Sequence, residues 1–535
     1  MNINGKIIPW STLGELLVDK AQRHGDALFA EVAGTPITYR ELERRSRVVG
    51  ANLLARGCTR GDRIASFMSN APEQLDIWFG CVRAGLVWVP LNAGLVGEDL
   101  AYTLRNSGSR ILIADAEGAA KFVDVREELH PIELLVTDAA DSDTSTAFAT
   151  LLEDRAGLPE LPATSPADPG AVLYTGGTTG LPKGVVLPQF SFILAGVRYG
   201  ESFDVRAGEI HFSTMPLFHA GALQWGIMGP LVNDMRTVVE RRFSASTYFQ
   251  RVRETRANVI DAFGVVLTML CGQPPGPADR DHCVRISVGA VHGLPPEIPS
   301  EFTRRFGIRL LLLYGLTEGG GAMLTSNREF DSDANGKPHG WVEIRIADEQ
   351  GFPVETGRVG EVLLRPCFPN MFMSGYFGDP GKTVESLRDC WLHTGDMGRL
   401  DAQGDFRFTG RMSHWLRRRG ESISAVEVET ILAKCPGVLE AAVVAVPSEL
   451  GEDEVKAFIV RDGETQVEAA DIFGWCTKKM AAFKIPRFIE FIDALPRSTA
   501  KLEIDRGALR RLPNDRAFDR QQESPDRPAP GKARA

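Results

Sequence analysis

Two threonine-capped helices, each feeding a short apolar run, constrain the architecture of this chain more than any other feature. Thr12 and Glu15 form a capping-box pair ahead of Leu16, Leu17 and Ala21. Thr38 and Glu41 repeat the device ahead of Leu42, Val49 and Leu53, and Gly57 closes that helix. β-rich runs at Arg63–Met68, Arg110–Ala114, Arg236–Glu240 and Arg309–Leu313 follow such helices. Helices alternating with buried strands predict an α/β fold with a substantial parallel component.

At 535 residues the chain has room for roughly two to four structural units. Its 43% hydrophobic and 24% charged residues exclude a disordered or collagen-like chain. Lys plus Arg number 60 against 70 Asp plus Glu, and the net charge of −10 argues against nucleic acid or an anionic membrane as the main partner. No two of the 8 cysteines sit at C-x-x-C spacing and the histidines form no ligand pattern, so neither a zinc site nor a disulfide framework is expected. A signal-like start is missing, as is any run of about 18 apolar residues that would span a membrane. The expectation is a soluble, reduced, cytoplasmic enzyme; a homo-oligomer is left open.

From Ser424 the pattern changes. Ser424 and Glu427 cap a helix bearing Val428, Ile431 and Leu432, which ends at Cys435-Pro436-Gly437. The strand-like run Ala441–Val446 and a second αβ stretch to Pro496 follow. These divisions predict a large domain over residues 1–411, a small one over 412–512 hinged near Arg411–His414, and a polar, disordered tail over 513–535.

The strongest chemical signal is YTGGTTGLPKGV, Tyr174–Val185. Glycines let backbone N–H groups turn toward an anion, threonine hydroxyls add donors, and Lys183 supplies charge. Lys183 follows Pro182 rather than Gly, so this is not a Walker loop. MPLFHAGAL (Met215–Leu223), YGLTE (Tyr314–Glu318), WLHTGDMGRLD (Trp391–Asp401), GRMSHWLRRRGESISAVEVE (Gly410–Glu429) and LPRSTAKLEID (Leu495–Asp505) follow in that order. Together these resemble the adenylate-forming superfamily of acyl-CoA synthetases, luciferases and peptide-synthetase adenylation domains, over nearly the whole chain. PEQLDIWFGCVRAGLVWVPLNA and MAAFKIPRFIEFID are most similar to the carnitine/crotonobetaine-CoA ligase-like branch of bacterial acyl-CoA ligases.

The resemblance implies a large N-terminal domain of stacked α/β layers with a small barrel-like β part, and a small mobile α+β C-terminal lid. It also implies an AMP-forming acid–thiol ligase using ATP, Mg²⁺ and coenzyme A. A carboxylate attacks the α-phosphate of ATP to give acyl-adenylate and pyrophosphate; a CoA thiol then displaces AMP. Thr175, Thr178, Thr179 and Lys183 would hold the β- and γ-phosphates, and Glu318 the Mg²⁺. Thr317 would touch the α-phosphate, Tyr314 the adenine, and Gly289 with Ala290 the segment lining adenine and the acyl group. Asp396 and Arg411 would bind the ribose, His219 would gate the carboxylate, and Lys501 would stabilise the adenylation transition state. Arg419 and Gly420 would border the CoA arm, and the run Arg417-Arg418-Arg419 is either a solvated face or a contact to CoA phosphates. His219 and Tyr314 also suit plain core packing.

Four departures from the family pattern stand out. Gly176 replaces the usual serine of the phosphate loop, and a lost hydrogen bond to a charged group costs about 1.5–3 kcal/mol. Ser413-His414 replaces a Lys-Asp pair at the hinge, and Arg419-Gly420 replaces Gly-Gly. The lysine loop, P-R-S-T-A-K from Pro496 to Lys501, is one residue short and lacks its glycine. One deleted residue removes up to ~3.3–3.6 Å of reach, which predicts either a tolerated variant whose shifted turn still delivers Lys501 or impaired adenylation with thioester formation retained. In the second case a separate adenylating enzyme would supply acyl-adenylate. Gly319-Gly320-Gly321 and the small residues near Gly289 either satisfy turns or leave room for a bulky hydrophobic carboxylic acid. The alternatives are a non-catalytic acyl-adenylate-binding protein and an enzyme that loads a carrier-protein thiol.

Overall fold

The computed structural model describes residues 2–3, 6–138, 146–175, 181–289, 297–325, 336–338, 340–412, 415–418, 421–447, 453–463, 465–497 and 504–520. The chain divides into two compact units. One comprises Met1–Arg358, Val362–Thr394 and Leu400–Arg407; the other takes Val359–Glu361, Gly395–Arg399 and Phe408–Ala535. The main junction therefore falls between Arg407 and Phe408, just upstream of the expected one.

In the larger unit the threonine caps act locally. Thr12 Oγ1 accepts the Glu15 N–H at 3.2 Å and opens helix Leu13–His24. The returning bond departs from the expected box, because the Glu15 carboxylate accepts from Ser11 N, at 2.7 Å, one residue outside. Thr38 Oγ1 accepts the Glu41 N–H at 3.1 Å and opens helix Tyr39–Ala55, which Gly57 closes at φ +80°. Leu16, Leu17, Leu42, Val49 and Leu53 are buried on the inner faces of these helices.

Among the described residues the helices pack on two α/β sheets. A five-stranded, all-parallel sheet has the order Val87–Pro90, Arg63–Phe67, Ile111–Ala114, Glu133–Val136, Thr146–Ala147. A nine-stranded sheet has a parallel centre in the order Arg309–Leu316, Ile286–Gly289, Val259–Asp261, Ile210–Ser213, Arg236–Val239, Leu28–Val32. Antiparallel strands finish its edges, Gly321–Thr325 with Lys337–Pro338 on one side and Thr35–Thr38 on the other. The central strands are buried on both faces, mostly by apolar side chains, as parallel strands covered by helices are, with His211, Ser213, Thr237, Asp261 and Ser287 as buried polar exceptions. Among the described residues no helix is long and apolar enough to cross a membrane.

The smaller unit is α+β. Ser424 caps helix Ala425–Leu432, which packs with helix Ala469–Lys479 on a sheet of order Val438–Pro447, Asp453–Arg461, Phe488–Phe491, Phe518–Asp519. Val428, Leu432, Val443, Ile459, Ile472 and Ile489 form its core. The last strand corrects the expectation of a disordered tail over residues 513–520, and residues 521–535 lie outside the described residues. Residues 513–520 belong to the fold: Phe518–Asp519 pairs with Phe488–Ile489, and Asp519 accepts two hydrogen bonds of 3.1 Å from Arg487. Asp519→Ala is expected to cost the unit about 1.5–3 kcal/mol, read as a lower denaturant midpoint. An unchanged midpoint would place the segment outside the folded unit.

Candidate active site

The phosphate-loop candidate sits at the tip of a β-hairpin. Strands Pro169–Thr175 and Lys183–Pro188 run antiparallel with Thr175 directly opposite Lys183. The loop thus joins two strands instead of a strand to a helix, unlike a Walker loop. Gly176, Thr178 and Thr179 lie outside the described residues. A third strand, Gly375–Tyr376, lies against Val185–Val186.

That third strand contributes the group that ties the site together. The Lys183 ammonium sits 5.3 Å from the centre of the Tyr376 ring, and the Tyr376 hydroxyl donates to Glu318 Oε1 at 3.0 Å. Burial, with Lys382 as the next cause, pushes Lys183 below its ordinary pKa, while Glu318 pulls it back. Burial and then Glu318 hold the Tyr376 phenol well above its usual range, so it remains a donor. Glu318 is half-buried on the turn Thr317–Gly319, which follows strand Arg309–Leu316 and is pinned by Met373 N donating to the Glu318 carbonyl at 2.8 Å. A cation and a carboxylate therefore flank one phenol; Thr175, across the hairpin from Lys183, and Thr317, beside Glu318, are half-buried. Tyr376 was not among the expected site residues, although Gly375-Tyr376-Phe377-Gly378-Asp379-Pro380 is a turn-rich run that could have flagged it.

Tyr376→Phe keeps the ring beneath Lys183 and removes only the hydroxyl. The expected result is a loss of about tenfold in acid-dependent pyrophosphate exchange. An unchanged rate would reduce Tyr376 to packing.

The other expected residues are placed unevenly. Gly289 ends its strand where a Cβ would stand 1.9 Å from the Ala262 carbonyl oxygen, so only glycine fits there. Ala290 lies outside the described residues. Tyr314 is buried, with its ring 4.9 Å from that of Phe406. His219 is half-buried and its Nδ1 accepts the Gly221 N–H at 3.1 Å, which leaves the ring proton on Nε2. In the smaller unit Asp396 is buried and Arg411 Nε lies 3.5 Å from its Oδ1. Ser413, His414, Arg419, Gly420 and Lys501 lie outside the described residues. The arginine run resolves at one position: Arg418 is 3% exposed, paired with Glu454 at 2.8 Å and bonded to the Phe483 and Ile485 carbonyls. It therefore presents no solvated face.

A cavity of about 490 Å³ lined by Ile210, Arg236 and Asn258 opens at the amino ends of the parallel strands, the opposite end from Gly289 and Thr317. Ligands of such sheets bind at the carboxyl ends. Arg236 and Arg251 in that cavity already pair with Glu31 at 2.9 and 3.1 Å.

The AMP-binding enzyme family model matches residues 17–377, and the AMP-binding enzyme C-terminal domain model matches 427–501. This chain is an AMP-binding enzyme. It is 32% identical over 459 residues to the crotonobetaine/carnitine–CoA ligase of Salmonella agona (strain SL483), covering 83% of this chain and 87% of that protein. The Salmonella paratyphi A (strain ATCC 9150 / SARB42) protein of the same name is 30% identical over 513 residues, covering 92% and 98%. Among solved structures, a benzoate CoA ligase from Burkholderia xenovorans LB400 aligns with a TM-score of 0.82 at 26% identity, over 93% and 99% of the two chains. The anthranilate CoA ligase AuaEII in complex with anthranoyl-AMP aligns with a TM-score of 0.84 at 24% identity, over 94% and 97%. These relatives place the AMP-binding enzyme among the acyl-CoA ligases, whose reactants are ATP with Mg²⁺, a carboxylic acid and CoA. Glu318 suits Mg²⁺, which typically takes one or two carboxylates plus phosphate oxygens. Among the described residues no cluster of three or more His, Cys, Asp or Glu forms an alternative metal cage.

Proposed function

We propose that this enzyme joins a carboxylic acid with a bulky apolar body to CoA through an acyl-adenylate, and that its shortened lysine loop slows the first half-reaction. The observation that carries the reading is the Lys183–Tyr376–Glu318 constellation beside Thr175 and Thr317. In this reading Thr175, Thr178, Thr179 and Lys183 hold the phosphate end of the nucleotide and Glu318 holds Mg²⁺, which supplies neutralising charge when bound. A substrate carboxylate oxygen bonds to the α-phosphorus as the bond to pyrophosphate breaks, with Thr317 beside the α-phosphate. A thiolate sulfur then bonds to the acyl carbon as the bond to AMP breaks. Both halves need charge stabilisation more than proton transfer. Tyr314, Gly289 and Ala290 line the adenine, Asp396 and Arg411 take the ribose, and His219 stands at the carboxylate. Lys501 serves the first half only, and Arg419 with Gly420 borders the CoA arm.

The structure gives the Gly319–Gly321 run its own reason. Gly320 has φ +67°, and a Cβ there would lie 2.2 Å from the Met371 carbonyl oxygen and 2.3 Å from Ser191 Oγ. Close approach, not an opened pocket, calls for glycine there. What supports an apolar acid is the aromatic pair Trp225 and Phe263, stacked at 6.0 Å with 13° between rings, Phe263 directly following Ala262, whose carbonyl abuts Gly289. A separate adenylating enzyme would supply adenylate where the first half-reaction is slow.

The test compares two supplies of substrate, acid with Mg-ATP and CoA, or preformed acyl-adenylate with CoA. A faster thioester yield from the adenylate supports the reading. Equal yields remove the impaired first half, and no yield from either removes ligase activity.

Binding should also carry a proton signature. An incoming phosphate restores Lys183 toward its ordinary value of 10.5, so nucleotide binding at alkaline pH below that value takes up protons. Calorimetry in buffers of different ionisation enthalpy reads this uptake; its persistence in Lys183→Met would assign it elsewhere.

A further inference from the structure

We infer that Arg198 and Gln224 recognise a second, anionic group on the acid substrate, remote from the carboxylate that reacts. The inference rests on the acyl-CoA ligase reading above and narrows its substrate class.

Helix Gln189–Phe203 and the π-helical turn Ala222–Met228 pack backbone to backbone: a Cβ on Gly196 would stand 2.5 Å from the Met228 carbonyl oxygen. This contact sets Arg198 of the first beside Gln224 of the second. Both converge on the glycines that directly follow the Glu318 turn. Arg198 Nη2 donates to the Gly320 carbonyl at 2.8 Å. The position a Cβ would take on Gly321 (φ +109°) is 2.9 Å from Gln224 Oε1 and 3.5 Å from Arg198 Nη2. Two polar side chains thus stand over one residue of the segment that carries Glu318. The next residue along the π-turn, Trp225, begins the aromatic wall with Phe263.

Their burial makes the pair hard to explain as scaffolding alone. Arg198 is 3% exposed and Gln224 1%. Arginine is almost never buried so fully without a reason. Gln224 Nε2 has no hydrogen-bond partner among the described residues, and a buried amide donor without one calls for an explanation in a native fold. An oxygen-rich group on the substrate supplies that acceptor. Burial pushes the Arg198 guanidinium down to about 10, with Glu201, one turn along the same helix, pulling it back. It is therefore still a cation at neutral pH, in surroundings that strengthen its attraction for an anion. π-helical turns also occur frequently at functional sites.

The same charge makes a prediction against the curated relatives. A guanidinium in the acyl site repels a quaternary ammonium, so acids of the carnitine type should be poor substrates here. The class expected is an apolar acid with a second carboxylate or similar oxyanion.

The experiment uses the full-length enzyme and three acids on one apolar skeleton, whose far end is a methyl, a carboxylate or a trimethylammonium group. Binding is measured by calorimetry in the presence of AMP, and thioester formation by kcat/KM with each acid and with each preformed adenylate. The far carboxylate is expected to improve binding and kcat/KM by about 10- to 100-fold over the methyl acid, with the trimethylammonium acid weakest. Arg198→Met should erase that advantage while leaving the methyl acid within about threefold, Gln224→Leu should erase part of it, and Arg198→Lys should retain part. Equal binding of all three acids by the wild type overturns the inference, as does an equal loss for all three in Arg198→Met. A methyl acid that turns over as well as the dicarboxylate leaves the ligase reading intact and removes only this one. If no acid or adenylate turns over, the ligase reading fails, and the binding comparison alone decides the role of Arg198.

Discussion

Glu318→Gln is expected to lower ATP-driven acyl-adenylate formation by about 10²–10³-fold, the loss typical when a group that stabilises developing charge is removed. Glu318 is half-buried, its Oε1 accepts the Tyr376 hydroxyl, and its backbone carbonyl accepts from Met373. Glutamine keeps the shape and the oxygen that receives the phenol, so the turn and the strand behind it should persist. What disappears is the negative charge with which Glu318 is proposed to hold Mg²⁺. Thioester formation from supplied acyl-adenylate needs no pyrophosphate leaving group and should fall by less than about tenfold. Matched assays of the two half-reactions read the contrast. An equal loss in both would show that Glu318 maintains the fold, and no loss in the first would move the metal site elsewhere.

The second large effect concerns the lysine loop. Inserting glycine between Ala500 and Lys501 is expected to raise adenylation by up to about 10²-fold, since an Å-scale misplacement of a catalytic group costs that much. The insertion restores both the missing length and a residue that adopts turn dihedrals cheaply. Lys501 serves only the first half-reaction in this account, so the thioester rate from supplied adenylate should not move. A single-turnover measurement of adenylate formation gives the answer directly. An unchanged rate would mean that the short loop already delivers its lysine.

How much the sequence disclosed depends on how far apart the interacting residues are. Helix starts at Thr12, Thr38 and Ser424 were legible because a cap and its N–H are three residues apart. The Gly- and Thr-rich run announced an anion loop, and the order of the later motifs announced the family. Tyr376 was not legible, because its partner Glu318 is 58 positions away and meets it only through the hairpin's third strand. Arg198 carried no signal in the sequence; the chain returns to it only 122 residues later, where the Gly320 carbonyl accepts from its guanidinium. Gly320 shows the converse. Its sequence context suggested empty space, whereas the fold fills that space with Met371 and Ser191. The structured end at Phe518–Asp519 escaped notice for a similar reason: a two-residue strand has no periodicity, and the Arg487 partner is not a neighbour.

What separates an acyl-CoA ligase from a protein that only binds adenylate is transfer of an acyl group from adenylate to CoA. Its most direct test is to mix purified enzyme with a preformed acyl-adenylate and CoA and to quantify both products. The account predicts CoA thioester and AMP in equal amounts, with AMP release dependent on CoA. Adenylate that binds tightly while neither product appears would contradict it, and would leave a protein that holds acyl-adenylates without converting them.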